Sequence, residues 1–80
     1  MMFKKRLGPN PHEGGGQTGA ASGCPDLWEL ESGDIAIIGI RKTTLLKQNL
    51  PESAGCGIDE EIVVIPREVL IKARNDIEKL

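Results

Sequence analysis

The sequence predicts a small α+β domain, with a sheet built on a β-hairpin and a helix at the C-terminal end. Three observations carry this: a β-branched run at 35–40, a turn signal just before it, and a helical apolar stripe after Pro66. The predicted order from residue 24 is β-β-α-β-α, preceded by a disordered N-terminal arm.

The hairpin comes first. Leu27-Trp28-Glu29-Leu30-Glu31 reads as a short strand, with Leu27 and Glu29 on one face and Trp28 and Leu30 on the other. Ser32-Gly33-Asp34 reads as a turn, because glycine adopts positive φ without steric cost. Asp34-Ile35-Ala36-Ile37-Ile38-Gly39-Ile40 follows without helical periodicity. Continuous apolarity of this kind predicts a strand covered on both faces, internally or by a partner.

Arg41 and Lys42 close that strand, and Thr43 or Thr44 is placed to cap a short helix reaching about Asn49. Leu45, Leu46 and Leu50 are expected to face inward, with Pro51 ending the helix. Residues 52–59 read as a glycine-containing loop, and Glu61-Ile62-Val63-Val64-Ile65 as a further strand stopped by Pro66. Pro66 suits the first turn of a helix, where its missing N–H costs nothing. Glu68 near the start and Lys79 near the end complement the helix dipole. Val69, Leu70, Ala73 and Ile77 form the predicted buried stripe, which leaves Ile71 exposed.

Residues 1–23 differ in kind. Six glycines and two prolines are interspersed with polar residues, and almost nothing apolar follows Leu7. Such a segment buries too little surface to offset the entropy of ordering it. The expectation is a disordered arm over 1–23 and a domain over 24–80.

Composition excludes several classes. Charged residues at 28 % and hydrophobic residues at 39 % fit an ordinary globular chain. The longest apolar run, Ile35 to Ile40, is far too short to span a bilayer. Lys4-Lys5-Arg6 is followed by Leu7-Gly8-Pro9 rather than by an apolar stretch, which argues against a secretory signal and for a cytoplasmic protein. A disulfide between Cys24 and Cys56 would add roughly 3–4 kcal/mol by restricting the unfolded chain, but cytosolic thiols stay reduced.

No catalytic, cofactor or metal site is expected. The single histidine, His12, lies in the arm, and a general base must be held within hydrogen-bond reach of its substrate. The two cysteines are far apart and lack the paired spacing of a zinc site. Glycines 14–16 have neither the preceding strand nor the Lys-Ser/Thr of a phosphate loop. Asp59-Glu60-Glu61 lacks the spaced oxygen ligands of a calcium loop and reads as a solvated edge.

Charge is divided unevenly. The arm holds three Lys/Arg against one acid, and residues 24–80 hold seven against eleven, giving about +2 and −4. A net-acidic domain is a poor general binder of nucleic acid. Binding that did occur would draw on Lys4, Lys5, Arg6, Arg41, Lys42, Arg67 and Arg74.

Two resemblances bear on function. Ile62-Val63-Val64-Ile65-Pro66-Arg67-Glu68-Val69-Leu70 resembles the strand-to-helix core of AbrB-type swapped-hairpin DNA-binding regulators, which implies nucleic-acid binding. Residues 24–78 also look like short bacterial proteins of actinobacterial type, similar to small BldB-like regulators. The features are Cys24, Trp28-Glu29-Leu30, Gly33-Asp34 with its apolar strand, and Ile65-Pro66-Arg67. That resemblance implies a partner-binding regulatory role. The leading expectation is therefore a non-enzymatic regulator or adaptor acting through protein–protein contacts as a homodimer, through Trp28, Ile38, Ile40 and Ile71. A nucleic-acid-binding regulator is the alternative.

Overall fold

The computed structural model describes residues 1–11 and 24–80. It has mixed strands and helices, with a small antiparallel sheet, a hairpin and C-terminal helices. The first sheet has three strands in the order β1-β2-β3: β1 (Phe3–Arg6), β2 (Asp26–Leu30) and β3 (Ile35–Ile38). A second sheet pairs β4 (Ile40–Arg41) with β5 (Val63–Val64). The helices are α1 (Thr43–Lys47), α2 (Arg67–Lys72) and α3 (Arg74–Glu78).

The β2–β3 hairpin forms where the sequence places it. Leu30 N donates to Asp34 O at 2.9 Å, Gly33 N donates to Leu30 O at 2.9 Å, and Gly33 takes φ +93°. A three-residue loop with glycine at its left-handed position is a common way to close such a ladder. The register then runs without slip from Glu29↔Ile35 to Asp26↔Ile38.

The expected disorder of residues 1–23 does not hold at its start. Phe3–Arg6 pairs antiparallel with β2, and Leu7 is buried. Local composition undervalues this strand because its stabilisation is tertiary. Leu7 packs with Leu27 and Ala73, while Arg6 forms an ion pair with Asp26. The folded unit therefore includes residues N-terminal to the expected boundary at 24. The expectation for 12–23 falls outside the described residues.

The core is small. Leu7, Leu27 and Ala73 are buried together, with Ile65, Val69 and Ile77 packed around them. Ala73 is fully buried because Gly8 lies against it; a Cβ on Gly8 would stand 3.2 Å from Ala73 Cα. Gly8 has φ +82° and its N–H donates to Asp76 Oδ2 at 2.7 Å, which ties the end of β1 to α3.

Several expectations need correction. The run at 35–40 is interrupted at Gly39, where the chain leaves the first sheet for the second. Gly39 allows that passage, since a Cβ there would lie 2.8 Å from Val64 O. Within the single chain the run is not covered on both faces, since its isoleucines are exposed, which leaves the alternative of cover by a partner. The strand expected at 61–65 is regular only at Val63–Val64. Lys42, not a threonine, occupies the N-cap of α1. The Thr43 hydroxyl instead donates to Glu61 Oε1 at 2.6 Å and accepts from Ile62 N at 2.8 Å, joining α1 to the approach to β5. Leu45 and Leu46 are exposed and Leu50 is half-buried, as a five-residue helix beside a two-stranded ribbon has little to pack against. The C-terminal helix breaks at Ala73 (φ −87°, ψ −4°), and Leu70 is exposed. The packed stripe is Val69, Ala73 and Ile77, at strict four-residue spacing.

Candidate protein-interaction surface

Antiparallel partners lie on one face of a sheet, so Leu27 and Ile37 share the core face with Ile35, opposite Glu29. Trp28, Ala36, Asp26 and Ile38 occupy the other face. The helices cover the core face at Leu7 and Leu27 but leave the β3 margin open. Ile35, Ile37, Ile38 and Ile40 are consequently 42, 49, 51 and 64 % exposed, and Ile71 is exposed as well.

The backbone of β3 is open too. Leu30 N bonds to Asp34 O, so the alternating ladder places the β2–β3 bonds at Trp28↔Ala36 and Asp26↔Ile38. The other edge of β2 agrees: Leu7 N donates to Leu27 O and Glu31 N to Met2 O, so odd-numbered residues of β2 face β1. Ile35 and Ile37 therefore point their N–H and C=O groups away from the sheet, and among the described residues no backbone bond meets them.

The outer face beside β1 is organised differently. Asp26 is buried and accepts from Arg6 Nε at 3.1 Å, Arg6 Nη2 at 3.1 Å, Trp28 Nε1 at 3.0 Å and its neighbour Leu27 N at 3.1 Å. Arg6 lies over the Trp28 ring, 4.5 Å from its centroid, and Phe3 meets the same ring edge-on at 5.4 Å. The carboxylate is a hub that clasps β1 to β2, since charge-assisted bonds of this kind are stronger than neutral ones. Sequence reasoning misses Asp26. Its signal is a carboxylate two residues before a tryptophan in a strand, where a part-buried indole N–H needs an acceptor.

Of the expected interaction residues, Ile38, Ile40 and Ile71 are exposed, whereas Trp28 is half-buried and held by Phe3, Arg6 and Asp26. The expectation that Trp28 lacks an internal partner is corrected, because β1 supplies that partner. Of the basic residues, Lys4 faces Glu29 at 4.0 Å, Arg6 Asp26 at 3.1 Å, Arg41 Glu61 at 3.7 Å and Arg74 Glu78 at 3.6 Å. Lys5, Lys42 and Arg67 lie on β1, at the N-cap of α1 and at the start of α2.

Cys24, buried, and Cys56, half-buried, both stand as thiols. Cys56 lines a shallow groove with Leu50, Gly55, Glu60, Glu61 and Ile62. Glu60 is engaged there by Gly57 N at 2.7 Å, and Glu61 by the Thr43 hydroxyl. Among the described residues no three His, Cys, Asp or Glu side chains gather as metal ligands, and no helix is long and apolar enough to cross a membrane.

Compared with protein-family models, with curated proteins and with solved structures, the chain matches none of them.

Proposed function

We propose that this chain is a small non-enzymatic regulatory or adaptor protein that acts through protein–protein contacts as a homodimer in the bacterial cytoplasm. The observation that carries the reading is the exposed row Ile35, Ile37, Ile38 and Ile40 beside a core that, among the described residues, has few buried side chains. Exposed apolar side chains along a free sheet edge suit a contact site, and small domains commonly gain stability by oligomerising. Burying the exposed parts of these isoleucines contributes roughly 1 kcal/mol each at the usual area coefficient. The nucleic-acid reading draws less support, because four of its seven basic residues already face carboxylates.

Sedimentation equilibrium of the full chain over a hundredfold concentration range tests the proposal. A monomer–dimer equilibrium is expected. A folded monomer at every concentration, together with salt-dependent binding to a labelled DNA duplex, would replace the reading with its alternative.

A further inference from the structure

We infer that the dimer forms by antiparallel pairing of β3 with β3 of a second copy, which extends the sheet across a two-fold axis to six strands. The inference rests on the homodimer reading and names the surface.

Four observations converge on this edge. The N–H and C=O groups of Ile35 and Ile37 point outward in strand geometry, the arrangement needed to continue a ladder. Ile35–Ile38 contains no charge and no proline, and its register with β2 has no bulge, so three of the devices that usually block edge pairing are missing from this strand. The side chains flanking the edge on both faces are half-exposed isoleucines, which a pairing strand would cover. Finally, the segment starts with Asp34 and ends with Arg41-Lys42. Antiparallel apposition brings unlike charges together, whereas parallel apposition would stack like on like. A self-complementary edge of this kind suits a second copy of the chain, because a closed two-fold contact uses one patch twice.

The outward-facing residues also restrict the register. Bonded pairs must join Ile35 or Ile37 of one copy to an outward residue of the other. Placing Ile37 on the axis pairs it with the partner's Ile37, sets Ala36 opposite the partner's Ile38, and sets Asp34 opposite the partner's Ile40. Asp34 then lies towards the end from which the partner's chain leaves through Ile40 and Arg41 to Lys42, whose long side chain is the cation nearest in sequence beyond Arg41.

The test uses Ile37→Pro and Ile37→Lys in the full chain. Proline removes an N–H that the β2–β3 ladder does not use and is tolerated on edge strands. Lysine at this position places two like charges at the axis while leaving every internal bond in place. Circular dichroism verifies folding, and sedimentation measures the dimer. Each folded variant is expected to dimerise about a hundredfold more weakly than the natural chain. Asp34→Lys should weaken the dimer several-fold, and adding Lys42→Glu should restore it. If both Ile37 variants are folded and dimerise like the natural chain, or if the charge exchange gives no rescue, the β3 pairing is overturned while the homodimer reading survives. A natural chain that stays monomeric removes both.

Discussion

At one edge of the three-stranded sheet, β1 carries Lys4, Lys5 and Arg6 and shifts register between Phe3 and Lys5. At the other edge, β3 is Ile35-Ala36-Ile37-Ile38 in unbroken register with its neighbour. Both are short strands against the same β2, yet their free sides invite opposite outcomes. Charge and a bulge discourage a further strand at β1, while regular geometry and apolar side chains favour one at β3. Backbone position in a sheet does not decide whether an edge is a contact surface. The side chains and the regularity of the ladder do.

The contrast can be broken first at its base, the clasp that holds β1 in place. Asp26→Ala removes the acceptor of Arg6 and of the Trp28 indole, and should destabilise the fold by about 3 kcal/mol. Urea unfolding measures this, and a loss below about 1 kcal/mol would mean that Leu7, the Phe3–Trp28 contact and the backbone ladder hold β1 without the clasp. The far end of β3 is sharpened by Gly39→Ala. Its Cβ would stand 2.8 Å from a backbone oxygen of β5, so a cost of about 1–3 kcal/mol is expected from the forced shift. An unchanged midpoint would show that the two sheets separate easily at this point. The gentlest change exchanges the character of the edges. Lys4→Val with Lys5→Val should alter monomer stability by less than about 1 kcal/mol, since Lys4 is itself exposed and its pair with the part-buried Glu29 is long, at 4.0 Å. Light scattering should nevertheless reveal species larger than a dimer, because both edges would then be adhesive. A doubly substituted chain that associates like the natural one would show that charge is not what guards β1.

Parts of this architecture are legible in the sequence alone. The hairpin is, because Gly33 and the β-branched run on its far side are local signals that agree with each other. The exposure of Ile38, Ile40 and Ile71 is also readable, since the chain offers too few helical residues to cover them. β1 is not legible: Phe3–Arg6 is held by Leu27, Asp26 and Trp28, and the Arg6–Asp26 bond alone joins residues 20 positions apart. The strand's own composition is that of a tail. Trp28 is misread for the same reason, as its partners lie on that strand. The helical phase read from the sequence fails at Leu70, where side-chain size outweighs spacing in the reading. Ala73 and Gly8 allow close approach, so small residues set which face is buried and Leu70 turns outward. Gly39 reads as one residue of a strand, since close approach by another backbone leaves no trace in local pattern.

Amide hydrogen exchange along β3 tests the central claim most directly. Ala36 and Ile38 lie at the bonded positions with β2, and their amides should be protected whether the chain is dilute or concentrated. The Ile35 and Ile37 amides point outward, so they should be protected only at concentrations where the dimer forms and exchange freely on dilution. That alternating, concentration-dependent pattern is the predicted result. Free exchange at Ile35 and Ile37 in a sample that sediments as a dimer would contradict the account, since the second copy would then be bound somewhere other than the β3 edge.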